Sequence, residues 1–160
     1  MFDTVVIGAG AAGLSAALLL GRARRQTLVL DASKPRNVSS TTTHGMFTRD
    51  GASPTSLMVI GQEQLRSYPS VEIRSGVAVD AQPIHGGFEV STSDSATVIG
   101  RRLLLAYGVV DELPKIEGLQ ELWGKSVLHC PYCHGWEVRD ESLAVYGRGD
   151  SVVGLAQLIL

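Results

Sequence analysis

The chain has 160 residues, of which 44% are hydrophobic, and this is enough apolar material for the core of an ordinary domain. Its formal net charge of −2 at pH 7 provides no electrostatic footprint for nucleic acid or for an anionic membrane surface, so neither is expected as a partner. The dense basic cluster of Arg22, Arg24 and Arg25 is expected at the solvated end of a helix.

Residues 4–21 carry no charge and are nearly long enough to cross a bilayer. Asp3 precedes this run and arginines follow it, which is the reverse of a secretory signal peptide. Glycines at positions 8, 10 and 13 also disfavour a lipid-facing helix. We therefore expect a cytoplasmic protein, in which two cysteines stay reduced unless they take part in a redox cycle.

The first 31 residues predict a strand, a helix and a second strand. Residues 3–7 are a β-branched run typical of a strand buried on both faces of a parallel sheet. Residues 11–23 are rich in small and apolar side chains and predict a helix, and residues 27–31 form another short apolar strand. Together they have the length of a βαβ crossover unit.

A glycine-rich loop connects the first strand to the helix. Gly8 permits the tight turn, Gly10 lets a pyrophosphate approach the backbone, and Gly13 lets the helix pack close to the strand. Phosphates are then bound by free N–H groups at the positive end of the helix dipole. Asp31 ends the second strand, where a carboxylate binds ribose hydroxyls, so the site favours FAD or NAD over NADP.

The middle of the chain predicts a long polar loop over 33–52 and a helix from Ser53-Pro54 to about Tyr68. Short strands at 71–74, 76–81, 88–92 and 97–106 predict a small antiparallel meander inserted into the α/β fold. Pro114 and Gly118 mark a linker.

A second strand, glycine loop and helix are predicted over residues 142–160, with Gly147 and Gly149 in the loop and Val152 at the third small position. The β-branched Val152 is expected to push this helix away from its strand. The repeat predicts the N-terminal portion of a larger two-domain protein, or a chain that a partner completes.

Both cysteines of the chain lie in HCPYCHGWE, residues 129–137. Four zinc ligands within six residues form too short a loop to surround a tetrahedral ion, so no metal site is predicted. CPYCH also matches the attachment pattern of a c-type haem, but that modification belongs to exported proteins and does not follow a nucleotide-binding unit. A redox dithiol is favoured, because C-x-x-C at a helix N-terminus stabilises the thiolate. His129 is expected to cap a strand end, Trp136 to pack, and Glu137 to provide a first-turn charge.

Five segments in family order carry a specific resemblance: GAGAAG with Asp31, THGMFTRDGASP, LLLAYGVVDELP, HCPYCHGWEVRD and the second glycine loop. The sequence resembles the N-terminal half of the thioredoxin reductase-like flavoproteins and is most similar to the branch with FAD-dependent dithiol oxidases. The implied fold is an α/β Rossmann-like FAD-binding unit with an inserted antiparallel meander, over 1–111. A linker and the start of a Rossmann-like NAD(P)-binding unit that carries the dithiol follow, over 112–160.

The resemblance also implies the cofactor sites and the roles of the catalytic residues. Expected FAD contacts are made by Gly8, Gly10, Ala11, Ala12, Gly13, Asp31, Ala32, Val79, Ala106 and Gly108, with His44 and Gly45 near the flavin; NADPH is expected at Gly147 and Gly149. An alternative role for His44 is the capping of nearby loop backbone. Cys133 is expected to face the flavin and Cys130 the substrate. His134 takes the place of the aspartate common in thioredoxin reductases and is expected to transfer protons near neutral pH.

The expected activity is thiol–disulfide exchange through a Cys130–Cys133 redox disulfide in a homodimer. The enzyme either oxidises a small dithiol with oxygen, or uses NAD(P)H to reduce a disulfide partner such as a thioredoxin-like protein. Tyr107 departs from the family's ATG pattern and is expected to weaken FAD binding. The alternative from another class is a truncated, non-enzymatic nucleotide-binding remnant.

Overall fold

The computed structural model describes residues 1–160, and the chain divides into two compact units. The first unit combines Met1–Val38 with Pro54–Glu112. The second combines Ser39–Ser53 with Leu113–Leu160. Residues 39–52 of the predicted polar loop are therefore grouped with the segment that carries the cysteines, whereas residues 33–38 belong to the first unit.

The first unit is a mixed six-stranded sheet with two helices. Its elements are β1 (Phe2–Ile7), α1 (Ala11–Arg22), β2 (Thr27–Asp31), α2 (Pro54–Leu65), β3 (Val71–Ser75), β4 (Ala78–Ile84), β5 (Gly87–Thr92) and β6 (Thr97–Leu105). The strand order is β3-β2-β1-β6-β5-β4. The strands β3, β2, β1 and β6 are parallel, whereas β4, β5 and β6 pair antiparallel. This arrangement confirms the predicted α/β class with a parallel βαβ core and an antiparallel meander.

One strand was assigned to the wrong part of the sheet. Residues 71–74 were predicted to begin the meander, but β3 pairs in parallel with β2, for example Val29 with Ile73. The reason is α2, which lies between β2 and β3 in the chain and provides the long crossover that a parallel pair requires. The meander is limited to β4, β5 and β6.

Apolar side chains cover both faces of this sheet. Successive residues of a strand point to opposite faces, so the fully buried Val5 and Val6 belong to different clusters. Val6 packs with Val29 and with residues of α1 and α2. Val5 packs with Leu28 and Leu30 of β2, and with Val90 and Val98 of the meander. Apolar side chains therefore pack against β1 on both faces of the sheet.

The two helices of the first unit pack against each other, and a Cβ at Gly61 would approach Leu14 to 2.9 Å. The α2 helix ends at Leu65 rather than near Tyr68, because Tyr68 precedes Pro69 and the residue before a proline is disfavoured in helical geometry. The arginines that follow α1 are exposed, as expected. No helix is long and apolar enough to cross a membrane.

The second unit contains short helices: α3 (Leu119–Leu122), α4 (Pro131–His134) and α5 (Asp150–Leu158), with a 3₁₀ turn at Trp136–Val138. The helix predicted after Gly149 is confirmed as α5. The strand predicted before Gly147 is not formed. A strand needs a neighbour to accept its backbone hydrogen bonds, and no strand of the chain pairs with residues 142–146.

Candidate functional site

Close backbone contacts shape the first glycine loop. Gly8 has φ +107°, a conformation that side chains rarely adopt, and a Cβ there would overlap the carbonyl of Ala106. A Cβ at Gly13 would overlap the carbonyl oxygen of Gly8. The start of α1 therefore lies directly against the end of β1, as in dinucleotide-binding loops.

Gly10 needs neither unusual geometry nor close packing. Its φ is −75°, and a Cβ at this position would meet no atom within 4 Å. Gly10 is the N-cap of α1, and no side chain caps the amides of the first turn, which includes Ala11 and Ala12. Open space before uncapped amides suits a diphosphate, so these residues fit the ADP part of FAD.

The ribose end of the predicted site lies where β2 ends. Asp31 accepts a hydrogen bond from the Ser33 amide on Oδ1 (2.8 Å), while Ala32 between them is exposed. The Asp31 carbonyl accepts from the Gly76 amide at 2.9 Å, which extends the pairing of β2 with β3 by one residue. Val79 follows at a register irregularity of β4 and is exposed.

The turn after β6 lies beside the glycine loop. Ala106 donates its amide to the Ile7 carbonyl (2.8 Å), and Gly108 has φ +73°. Tyr107, between them, is 71% exposed, so its ring is not packed into the turn. Its predicted effect on FAD binding stays a prediction.

An ion pair that the sequence did not predict holds the chain just beyond this turn. Arg36 donates two hydrogen bonds to the carboxylate of Asp111, at 2.9 and 2.6 Å. Hydrogen bonding to Asp111 raises the pKa of Arg36 above its usual value. The partners are 75 positions apart, and no local pattern connects them.

Cys130 and Cys133 form a disulfide in the second unit, with their Cα atoms 5.3 Å apart. Cys130 is the N-cap of α4, Pro131 occupies the first turn, and the Cys133 amide donates to Cys130 Sγ at 3.2 Å. The predicted position of the dithiol at a helix start is confirmed. The hydrogen bond stabilises negative charge on Cys130 Sγ after reduction.

His134 ends the same short helix and contacts a side chain that sequence reasoning missed. Its Nε2 lies 3.2 Å from Ser40 Oγ, although the two residues are 94 positions apart. Its Nδ1 is buried without a hydrogen-bond partner. One ring nitrogen of the histidine that directly follows the second cysteine is therefore buried and has no hydrogen-bond partner.

His44 contacts two carboxylates. Its Nδ1 lies 3.4 Å from Asp50 and its Nε2 lies 3.4 Å from Glu137. The capping suggested for His44 is performed by Asp50, which accepts the Gly45 amide at 2.8 Å. This bond, together with His44, lowers the pKa of Asp50. The predicted location of His44 and Gly45 near the flavin stays a prediction.

Two minor predictions about the dithiol segment were wrong. No strand ends at His129, whose ring stacks on Trp123 with a centroid distance of 5.7 Å. Trp136 is 72% exposed rather than packed, with the Arg139 guanidinium 4.4 Å from its ring centre. Glu137 lies in the first turn of a 3₁₀ helix, as expected, and also contacts His44.

The second glycine loop only partly repeats the first. Gly149 has φ +71° and open space around it, like Gly10. A Cβ at Gly147 would lie 2.5 Å from a γ-methyl of Val152, so the valine occupies the space over this glycine. Asp150 adds a carboxylate to the first turn of α5, where α1 has none. This charge opposes a phosphate, so the loop fits a dinucleotide less well than the first.

A family model described as pyridine nucleotide-disulphide oxidoreductase matches residues 2–159, a range that includes the first glycine loop and the paired cysteines. The chain belongs to this pyridine nucleotide-disulphide oxidoreductase family. Within it the chain is thioredoxin reductase-like. It is 37% identical over 150 residues to a thioredoxin reductase of Claviceps purpurea, a match that includes 92% of this chain and 47% of the relative.

Solved structures show the same similarity. An oxidoreductase from Agrobacterium tumefaciens is 44% identical, with a TM-score of 0.82 over 86% of this chain and 46% of that one. Thioredoxin reductase from Streptococcus pyogenes is 26% identical, with a TM-score of 0.91 over 99% of this chain and 52% of that one. The chain spans about half the length of the relatives it matches.

Proposed function

We propose that this chain carries the nucleotide-binding loop and the redox disulfide of an FAD-dependent thiol–disulfide oxidoreductase that oxidises a small dithiol. The observation that carries the proposal is the Cys130–Cys133 disulfide, followed directly by a histidine with an unpartnered, buried ring nitrogen. FAD is proposed as the redox partner of this disulfide because the chain belongs to the pyridine nucleotide-disulphide oxidoreductase family.

FAD is assigned to the first glycine loop. The amides of Ala11, Ala12 and Gly13 bind the diphosphate beside Gly10, and Asp31 binds the ribose. Ala32, Val79, Ala106 and Gly108 line the remainder of this site, with His44 and Gly45 assigned to the flavin. When bound, FAD supplies the two-electron exchange that returns the cysteine thiols to a disulfide.

The cysteines perform the exchange with the substrate. A substrate thiol gives its proton to His134, and the thiolate attacks Cys130 Sγ; the bond to Cys133 breaks and Cys133 leaves as a thiolate. The second substrate thiol then attacks the substrate sulfur of the mixed disulfide; the bond from that sulfur to Cys130 breaks, and the proton of the attacking thiol passes to the Cys130 sulfur. The substrate becomes a disulfide, and its two electrons remain on the two cysteines.

Two observations favour oxidation of a dithiol. His134 offers a proton acceptor, which this direction requires for the substrate thiols. Asp150 and Val152 make the second glycine loop a poorer site for NADPH, which only the other direction requires.

The second candidate is the reverse reaction, in which NADPH at Gly147 and Gly149 is the electron source and a thioredoxin-like protein is reduced. It is supported by the names of the relatives, which are thioredoxin reductases. Cys130 then attacks the partner's disulfide, and Cys133 resolves the mixed disulfide.

The test uses the complete enzyme that contains this chain, purified with FAD. Oxygen uptake on addition of a small dithiol, without NADPH consumption, is expected, and Cys130→Ser should abolish it. NADPH consumption that depends on a thioredoxin-like partner would favour the reverse direction. A colourless protein that neither retains added FAD nor turns over would support the non-enzymatic alternative. A homodimer, which the resemblance implies, and a cytoplasmic location, which the charges around residues 4–21 predict, stay predictions, to be tested by light scattering and by cell fractionation.

A further inference from the structure

Ser40 forms two hydrogen bonds within the second unit, and together they settle where its proton lies. Its Oγ is 2.8 Å from the carbonyl oxygen of Thr42 and 3.2 Å from Nε2 of His134. A carbonyl only accepts hydrogen bonds, and a hydroxyl has a single proton to donate. The Ser40 proton therefore points to Thr42, and Oγ accepts the hydrogen bond from His134.

This arrangement determines the tautomer of His134. If Oγ accepts, Nε2 carries the ring proton, and in a neutral imidazole Nδ1 then has the free lone pair. In the opposite tautomer, the buried Nδ1 is an N–H donor without an acceptor, and Thr42 loses its hydrogen bond. Orphaned buried N–H groups are rarer in proteins than unsatisfied acceptors, so the first tautomer is favoured.

We propose that Ser40 is a positioning residue that holds His134 as the Nε2–H tautomer, so that Nδ1 is the ring nitrogen that takes up a proton. This inference deepens the proposed function and rests on it. Proton uptake at Nδ1 leaves Nε2–H in place, so the bonds to Ser40 and Thr42 need not change during the exchange.

Nitrogen-15 NMR of the histidine rings reads the tautomer directly. The chain is labelled in its four histidines, kept in the disulfide form, and observed at a pH where His134 is neutral. We expect the Nε2–H pattern for His134 in the unmodified chain. Ser40→Ala should convert it to a mixture of tautomers, whereas Ser40→Thr, which keeps the hydroxyl, should restore it. Thr41→Ala is the matched control, because Thr41 is exposed and this substitution also removes a hydroxyl, one residue away from Ser40.

An Nδ1–H pattern in the unmodified chain overturns the proposal, and so does an unchanged pattern in Ser40→Ala. If Ser40→Ala fails to fold, the unmodified chain and Ser40→Thr still decide the tautomer. In the complete enzyme, Ser40→Ala should lower turnover about 2- to 10-fold, the equivalent of one hydrogen bond. It should cause no further loss when His134→Ala is already present, because the serine acts through the histidine. Normal turnover of His134→Ala would refute the proposed role of His134, whereas the tautomer result tests Ser40 independently.

Discussion

The two units build their candidate sites from different materials. In the first unit the site is backbone: three glycines within six residues let the chain approach itself and leave open space before the α1 amides. In the second unit the surroundings of the dithiol are side chains from remote segments, such as Ser40 against His134. Adding atoms should therefore damage the first site, and removing functional groups should damage the second.

The largest effect is expected from the cysteines. Either serine substitution should abolish turnover, but only Cys133→Ser should rapidly form a lasting mixed disulfide with a small aromatic disulfide. The reason is that the residue 133 amide stabilises the Cys130 thiolate, and no second thiol is left to resolve the adduct. Intact-mass spectrometry reads the adduct, and the reduced unmodified chain is the control. A lasting adduct only on Cys130→Ser would reverse the assigned order.

Removal of the imidazole should have the next largest effect. His134→Ala should keep the disulfide and slow turnover by roughly 10²–10⁴-fold, the scale of a lost general acid or base. His85→Ala, in the exposed turn between β4 and β5, is the matched control and should turn over normally. A normal rate for His134→Ala would show that His134 has no catalytic role and is only a structural neighbour of the dithiol.

Adding a side chain to the first glycine loop should remove the cofactor. Gly10→Val places branched carbons where the diphosphate is assigned, and FAD affinity should fall about 100-fold, the equivalent of one or two charge-assisted hydrogen bonds. The fold should survive, because a Cβ here meets nothing. Gly154→Val in α5 adds the same side chain to the second unit, at a glycine without a positive φ and with no atom within 4 Å of its Cβ, and should leave FAD content unaltered. Equal FAD retention in both variants would show that the nucleotide lies elsewhere.

Tyr107 is a milder test of the same loop. Replacing the phenol with the small hydroxyl residue of the related pattern, Tyr107→Thr, should raise FAD affinity by about twofold, the scale of a surface substitution. Equilibrium dialysis of FAD measures the change. A drop in affinity would mean that the exposed ring contacts the cofactor.

Two aspartates distinguish the units by their response to acid. The Gly45 amide and then His44 lower the pKa of Asp50; the Thr92 hydroxyl and then the Ala96 amide lower that of Asp94. Because the folded pKa is the lower one, each carboxylate stabilises its unit above the ordinary pKa near 4, and this stabilisation is lost as pH falls through the lowered value.

Both tryptophans, Trp123 and Trp136, belong to the second unit, so their fluorescence follows that unit alone. Asp50→Asn should raise the midpoint of acid unfolding by about a few tenths of a pH unit, and Asp94→Asn should leave this signal unchanged. An identical shift in both variants would show that the units do not respond separately.

The sequence predicted the first unit well because its signals are local. The β-branched run, the glycine spacing and the acid at position 31 all lie within one βαβ unit, and the structure forms β1, α1 and β2 from them. Assignment of β3 to the meander failed because a single short strand does not show whether its partner is parallel or antiparallel. The crossover helix α2 makes the pairing of β2 with β3 parallel. We predicted this helix from the sequence but did not conclude from it that the strands on either side are parallel neighbours.

The second unit was less predictable, because its contacts join residues that are far apart in sequence. C-x-x-C and the helix after Gly149 are local and were predicted, but Ser40 beside His134 requires the fold of 39–53 to be known. The prediction of a strand before Gly147 was wrong for a related reason. Its apolar pattern was present, but a strand also depends on a pairing partner that a local pattern does not contain.

In the proposed enzyme, the Cys130–Cys133 pair exchanges electrons with FAD bound at the first glycine loop. The most direct measurement is an anaerobic titration of the FAD-loaded protein with a small dithiol, followed by the visible absorbance of the flavin. The absorbance should be lost as dithiol is added, and it should persist when both cysteines are replaced by serine under the same conditions. Equal loss of absorbance in the two proteins would show that electrons reach FAD without the cysteines and would refute their proposed role.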